Sequence, residues 1–199
     1  MSVADFQRAL SALISSPQLC LRLRAGEEGV LAAYELSERE RRRLEAVVRQ
    51  PGMSVSCSIC RANRLTAIAS GLPFTCLLLG DELAPLLDRF WDEEQGDMQF
   101  GPEVERFGRF LEVEPALLRG PYIQEVLAFE LALNAMRHRD GTATVPFGHD
   151  PRALLGALAA GRIPAAVESA EHDVVVCARA GEVTVRVVPA AAPRPSELR

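Results

Sequence analysis

The stretch His172-Asp173-Val174-Val175-Val176-Cys177-Ala178-Arg179-Ala180-Gly181-Glu182-Val183-Thr184-Val185-Arg186-Val187-Val188 decides the fold. Val183, Val185 and Val187 alternate with Thr184, Arg186 and Val188, the two-residue period of a strand. His172 to Ala178 is a second β-branched run, and Arg179-Ala180-Gly181 between them is suited to a tight turn. This pattern predicts an antiparallel hairpin. Upstream, Thr142 to Phe147 reads as another short strand, and Asp150-Pro151 opens a small Ala/Leu helix ending at Gly161. Two or three strands make a small sheet with at least one open edge. Such an edge carries unpaired N–H and C=O groups that are either covered or used to capture an extended peptide.

Before Asp140-Gly141 the chain reads as helices. Ser2 is suited to cap a helix with Phe6, Leu10, Leu13 and Ile14 on one face, and Pro17 ends or redirects it. Gly26 to Tyr34 is expected to form a short helix. Ser37 and Glu40 make a capping box for a helix that stops at Gln50-Pro51-Gly52. Ser54 or Ser56 opens the next, which runs to about Ser70 before Gly71-Leu72-Pro73 breaks the chain. Asp81 to Trp91 carries Leu83, Leu86, Leu87, Phe90 and Trp91 as a core-facing stripe. Residues 96–101 read as a loop, Val104, Phe107 and Leu111 mark a helix stopped near Pro115, and Gly120-Pro121 starts the last long helix, to about His138. The expected architecture is therefore α+β: a mainly helical body over 1–140, a small C-terminal antiparallel unit over 141–189, and a disordered Ala/Pro-rich tail over 190–199.

Composition narrows the function. The 199 residues are 48% hydrophobic and 25% charged, with a net charge of −5. No long apolar run and no export signal is visible, so a soluble cytoplasmic protein with no membrane partner is expected. All 22 basic residues are Arg, which excludes a catalytic lysine, a Schiff base and a phosphate-loop lysine. An acidic chain argues against nucleic acid as a partner. The alternative of a nucleic-acid-binding regulator rests on Arg39, Arg41, Arg42, Arg43 and Arg49, whose plainer reading is a solvated face paired with Glu38, Glu40 and Glu45.

Cys57-Ser58-Ile59-Cys60 has no second Cys or His pair to complete a zinc set, and it sits in a helical region rather than in a thioredoxin-like context. Structural cysteines are the plainer reading, with a thiol or metal protein using Cys57 and Cys60 as the alternative. His149-Asp150 and His172-Asp173 have no metal-triad spacing, and no nucleophile elbow, phosphate loop or dinucleotide fingerprint is present. No catalytic set, metal site or cofactor is expected in this chain. Glu130 lies near the core face of its helix and needs a partner. A structural ion pair with Arg61 or Arg64 is expected.

One resemblance adds to this reading. Arg61-Ala62-Asn63-Arg64-Leu65, Leu72-Pro73-Phe74-Thr75-Cys76-Leu77-Leu78-Leu79-Gly80, Phe90-Trp91, Phe107-Gly108-Arg109-Phe110-Leu111 and Pro121-Tyr122-Ile123-Gln124-Glu125-Val126-Leu127-Ala128-Phe129-Glu130 stand in an order and spacing that, with the C-terminal hairpin, resembles the MbnC family. The HvfC family is a more distant likeness. The similarity covers roughly residues 36 to 188 and rests on several weak motifs in order. It implies a non-catalytic subunit bound to a TIM-barrel, MbnB-like oxidase. The oxidase holds the iron and converts a cysteine of an MbnA-like ribosomal precursor peptide to an oxazolone with an adjacent thioamide. It also implies that the small sheet helps hold the precursor's leader by strand addition. The contacts would then fall on Val174, Val175, Val176 and Cys177, or on Val183, Thr184, Val185, Arg186 and Val187.

Overall fold

The computed structural model describes residues 3–93, 100–113, 118, 120–137 and 139–190. It is an α+β protein: helices dominate, and a three-stranded antiparallel sheet lies toward the C-terminus. The expected boundary at residue 140 is not where the chain divides. One compact unit comprises Met1–Ala67 with Ala84–Glu103, and the other Ile68–Leu83 with Val104–Arg199. The reason is packing: the sheet alone has too little apolar surface for a core.

In the first unit, α1 (Val3–Ser15) and α2 (Pro17–Arg24) are separated by Ser16, whose hydroxyl accepts from the Leu19 N–H while Pro17 takes the first helical position. Residues 26–34 form turns rather than the expected helix, because Gly26 and Gly29 hold φ near +79° and +83°. The Ser37–Glu40 capping box forms as expected and opens α3 (Glu38–Val48). Helix α4 (Pro51–Gly71), which belongs to this unit up to Ala67, starts at Pro51, earlier than expected. Ser54, Ser56 and Ser58 hydrogen-bond back to the preceding turn's carbonyls instead of capping. Leu13, Leu23, Leu31, Leu44, Val48, Met53 and Cys57 form this unit's core. The residues of α6 (Leu83–Glu93) within it bury Leu86, Leu87, Phe90 and Trp91, four of the five stripe residues read from the sequence, while Leu83 is only half-buried.

The second unit holds α5 (Pro73–Leu79), most of α7 (Phe100–Val113), α8 (Ile123–Met136), β1 (Gly141–His149), α9 (Pro151–Ala159), β2 (Ser169–Arg179) and β3 (Glu182–Pro189). Helix α5, read as a break in the sequence, is nucleated from outside itself. Leu72 at its N-cap has no side chain able to cap it, and the Glu130 carboxylate of α8 accepts the N–H groups of Phe74 at 2.7 Å and Thr75 at 2.8 Å. Asn134, one turn on, donates to the carbonyl of Gly71 at 2.6 Å. Gly108 permits close approach of α7 and α8, since a Cβ there would lie 2.6 Å from the Leu131 side chain. Val126, Phe129, Met136, Val145, Phe147, Leu154, Val174 and Val176 make the core, with α8 against β1 and β2. The expected disorder of 190–199 and the ends expected near Ser2, Pro115 and His138 concern positions that, Ala190 apart, lie outside the described residues.

The ion pair expected between Glu130 and Arg61 or Arg64 is replaced by other partnerships. Glu130 is occupied by the two amides, Arg64 binds Glu103 through Nε at 2.6 Å, and Arg61 meets Asp88. A helix start supplies two N–H donors in a fixed geometry, which satisfies a buried carboxylate without a second desolvated charge.

Candidate functional site

The sheet order is β1-β2-β3, so β2 is the central strand. This corrects the expectation for Val174, Val175, Val176 and Cys177. Their backbone groups are engaged between two neighbours, because the Gly141–His149 segment pairs with the side of β2 that the hairpin leaves free. No third strand can add there. Val183, Thr184, Val185, Arg186 and Val187 lie instead on β3, an edge strand.

The orientation of that edge follows from the turn. Arg179 pairs with Glu182 across Ala180 and Gly181, both with positive φ, +53° and +82°. This is the primed two-residue turn whose flanking residues exchange hydrogen bonds. Alternation then directs the backbone groups of Glu182, Thr184, Arg186 and Val188 toward β2. The N–H and C=O groups of Val183, Val185 and Val187 point away from the sheet. The bond from the Ala190 N–H to the Glu171 carbonyl, 3.3 Å, keeps the same parity.

The opposite edge is built differently. On β1 the outward positions are Thr142, Thr144 and Pro146, by the same alternation applied to the β1–β2 register. Pro146 has no N–H to offer, and the Glu125 carboxylate of α8 takes the Gly148 N–H at 2.7 Å beyond it. The irregularity between Phe147 and His149 bends the strand end, where His149 Nδ1 lies 2.8 Å from Glu125. Proline and a bulge are usual ways of blunting an edge, and here a carboxylate also takes up an outward N–H. Among the described residues β3 has none of them before Pro189.

The two faces of β3 also differ. Val183, Val185 and Val187 pair with Ala178, Val176 and Val174, so they lie on the face that buries the core. Helix α8 covers that face over β1 and β2, yet Val183 and Val185 stay 37% and 45% exposed. The apolar face therefore extends as a ledge beyond its helical cover. The other face presents Glu182, Thr184, Arg186 and Val188. Sequence alternation identified the strand. It could not show that the ledge stays partly exposed, because exposure depends on where α8 ends laterally.

The remaining candidates fall elsewhere. Cys57 and Cys60 lie on the inner side of α4, both buried. Burial pushes the Cys57 thiol up to about 11, with Cys20 beside it adding to the shift, and burial likewise raises Cys60 against the lowering effect of Arg64. The neighbour of Cys57 is thus Cys20 of α2, and both line an apolar cleft with Leu21 and Val48. Raised thiols are the opposite of the depressed ones that nucleophilic cysteines show. Among the described residues no group of three or more His, Cys, Asp and Glu is placed to hold a metal ion. Arg39, Arg42, Arg43 and Arg49 are exposed along α3, with Arg42 bound to Glu38 at 2.9 Å. Among the described residues no single helix is long and apolar enough to cross a membrane.

Compared with known proteins, this chain matches no family model, no curated protein and no solved structure.

Proposed function

We propose that this chain is the non-catalytic partner subunit of an iron-dependent, MbnB-like oxidase that modifies cysteine in a ribosomally made precursor peptide, and that the precursor's leader binds by adding a strand to β3. The observation that carries the reading is the edge strand: three residues, Val183, Val185 and Val187, aim N–H and C=O away from β2 beside an apolar ledge that stays partly exposed. The likeness to the MbnC family supplies the identity of the oxidase and of the peptide. Each backbone bond to the leader contributes about 1 kcal/mol net, so useful affinity needs several bonds together with apolar anchoring on the ledge. The chemistry belongs to the iron of the partner, and this chain positions the peptide.

Co-expression with an iron oxidase and a cysteine-containing precursor encoded by adjacent genes tests the reading. A stable heterodimer that binds the leader is expected. Val185→Pro removes one outward N–H without touching the β2 ladder, and it should weaken leader binding about tenfold while the heterodimer persists. If no oxidase co-purifies, or if leader binding ignores the proline, the reading is wrong.

A further inference from the structure

Resting on the strand-addition reading, we infer that β3 selects an extended peptide whose alternate residues are apolar, with an acidic residue between them directly beside Arg186. A strand added to β3, parallel or antiparallel, continues both faces of the sheet, because side chains alternate with a period of two. Side chains of the added strand on the inner face fall beside Val183, Val185 and Val187. That face is the core face of the sheet, and its ledge at Val183 and Val185 stays partly exposed. Apolar side chains there remove valine surface from water, whereas polar ones would be desolvated against it without a partner.

The intervening side chains fall on the outer face beside Glu182, Thr184, Arg186 and Val188, with Glu182 at the turn directly opposite Arg179 and two positions removed from Thr184 on the far side from Arg186. Arg186 is exposed and forms no ion pair among the described residues. Its cross-strand partner is Val175, flanked by Cys177 and Asp173 on the same face. Asp173 lies on the diagonal and leaves the guanidinium unpaired. Arg186 is therefore the one cation on this face of β3, set between the uncharged Thr184 and Val188. A carboxylate on the added strand directly beside it forms a cross-strand pair of opposite charge, and a lysine or arginine there is repelled. The chain as a whole carries −5, so the preference is a local one set by a single side chain. An exposed pair of this kind changes affinity only by about two- to fivefold.

Fluorescence anisotropy on the full chain tests this with three labelled peptides of equal length, each with valine at alternate positions and Glu, Lys or Ser between. The glutamate peptide should bind about threefold tighter than the serine peptide, and the lysine peptide weakest. Arg186→Glu should invert that order. Val185→Pro and Val187→Pro should each weaken all three. Equal affinities for the three peptides, with both prolines still damaging, would overturn the acidic preference and leave strand addition standing. Binding that ignores both prolines, or no binding by any peptide, would overturn the preference and the strand-addition reading together. A homodimer that sedimentation shows to be lost in Val185→Pro would assign the edge to a second copy of this chain and overturn the inference.

Discussion

Glu103 and Glu130 are 1% and 2% exposed, and each lies in a different compact unit. In the first unit Glu103 is held by a buried cation. Arg64 reaches it at 2.6 Å, the Trp91 indole N–H adds a bond at 3.2 Å, and the guanidinium lies over the rings of Phe90 and Trp91. In the second unit Glu130 has backbone donors: the amides of Phe74 and Thr75 at the start of α5. The contrast shows two ways of keeping a carboxylate out of water. One balances charge against charge and demands that both stay together. The other uses the unsatisfied N–H groups of a helix start, and thereby makes a seven-residue helix dependent on a side chain far away in sequence.

Removing the cation should have the largest effect. Arg64→Met leaves Glu103 buried without its opposite charge, and a loss of about 3–5 kcal/mol is expected in urea unfolding. Adding Glu103→Gln to that variant should recover part of the loss, because the uncompensated charge goes with it. A double variant as unstable as the sum of the two singles would mean that the pair is not coupled.

Glu130→Ala should cost less, about 2–4 kcal/mol, from two orphaned amides and the space left behind. Its signature is local: amide exchange should accelerate at Phe74 and Thr75 before the sheet is affected. Uniform acceleration throughout the second unit would mean that the carboxylate supports the whole core and not the start of α5 in particular.

The legibility of these features in sequence follows the range of the interaction. Local signals were readable: the Ser37–Glu40 box, the Leu86, Leu87, Phe90 and Trp91 stripe, and the alternation from Val183 to Val187 all appear where the pattern places them. That Glu130 needs a partner was also readable, since its helix position is apolar. Which partner it takes was not, because the donors lie about 55 positions away on a segment whose proline and glycine read as a break. The same limit applies to the sheet. Thr142 to Phe147 reads as a strand, but nothing local says that it takes the free side of β2 and turns Val174 to Cys177 into the centre of the sheet. Positive φ at Gly26 and Gly29 likewise decides against a helix where composition alone allows one.

The smallest effect, and the one that sharpens the contrast most, is the pH response of Glu130. Burial raises its carboxyl above the ordinary range, and the hydrogen bonds from Phe74 and Thr75 only partly oppose this. A carboxyl with a raised folded-state pKa binds its proton more readily in the native protein than in the unfolded chain, so its ionisation costs stability as pH climbs from the unfolded value, about 4.3, through the folded one. Relative to Glu130→Gln, which cannot ionise, the wild-type protein should therefore gain stability as pH falls toward that unfolded value and level off below it. Urea midpoints for the two proteins at a series of pH values measure the difference. A wild-type protein that instead loses ground to Glu130→Gln on acidification would show that the two amides outweigh burial, and that a helix start can hold a sealed carboxylate ionised as firmly as an arginine does.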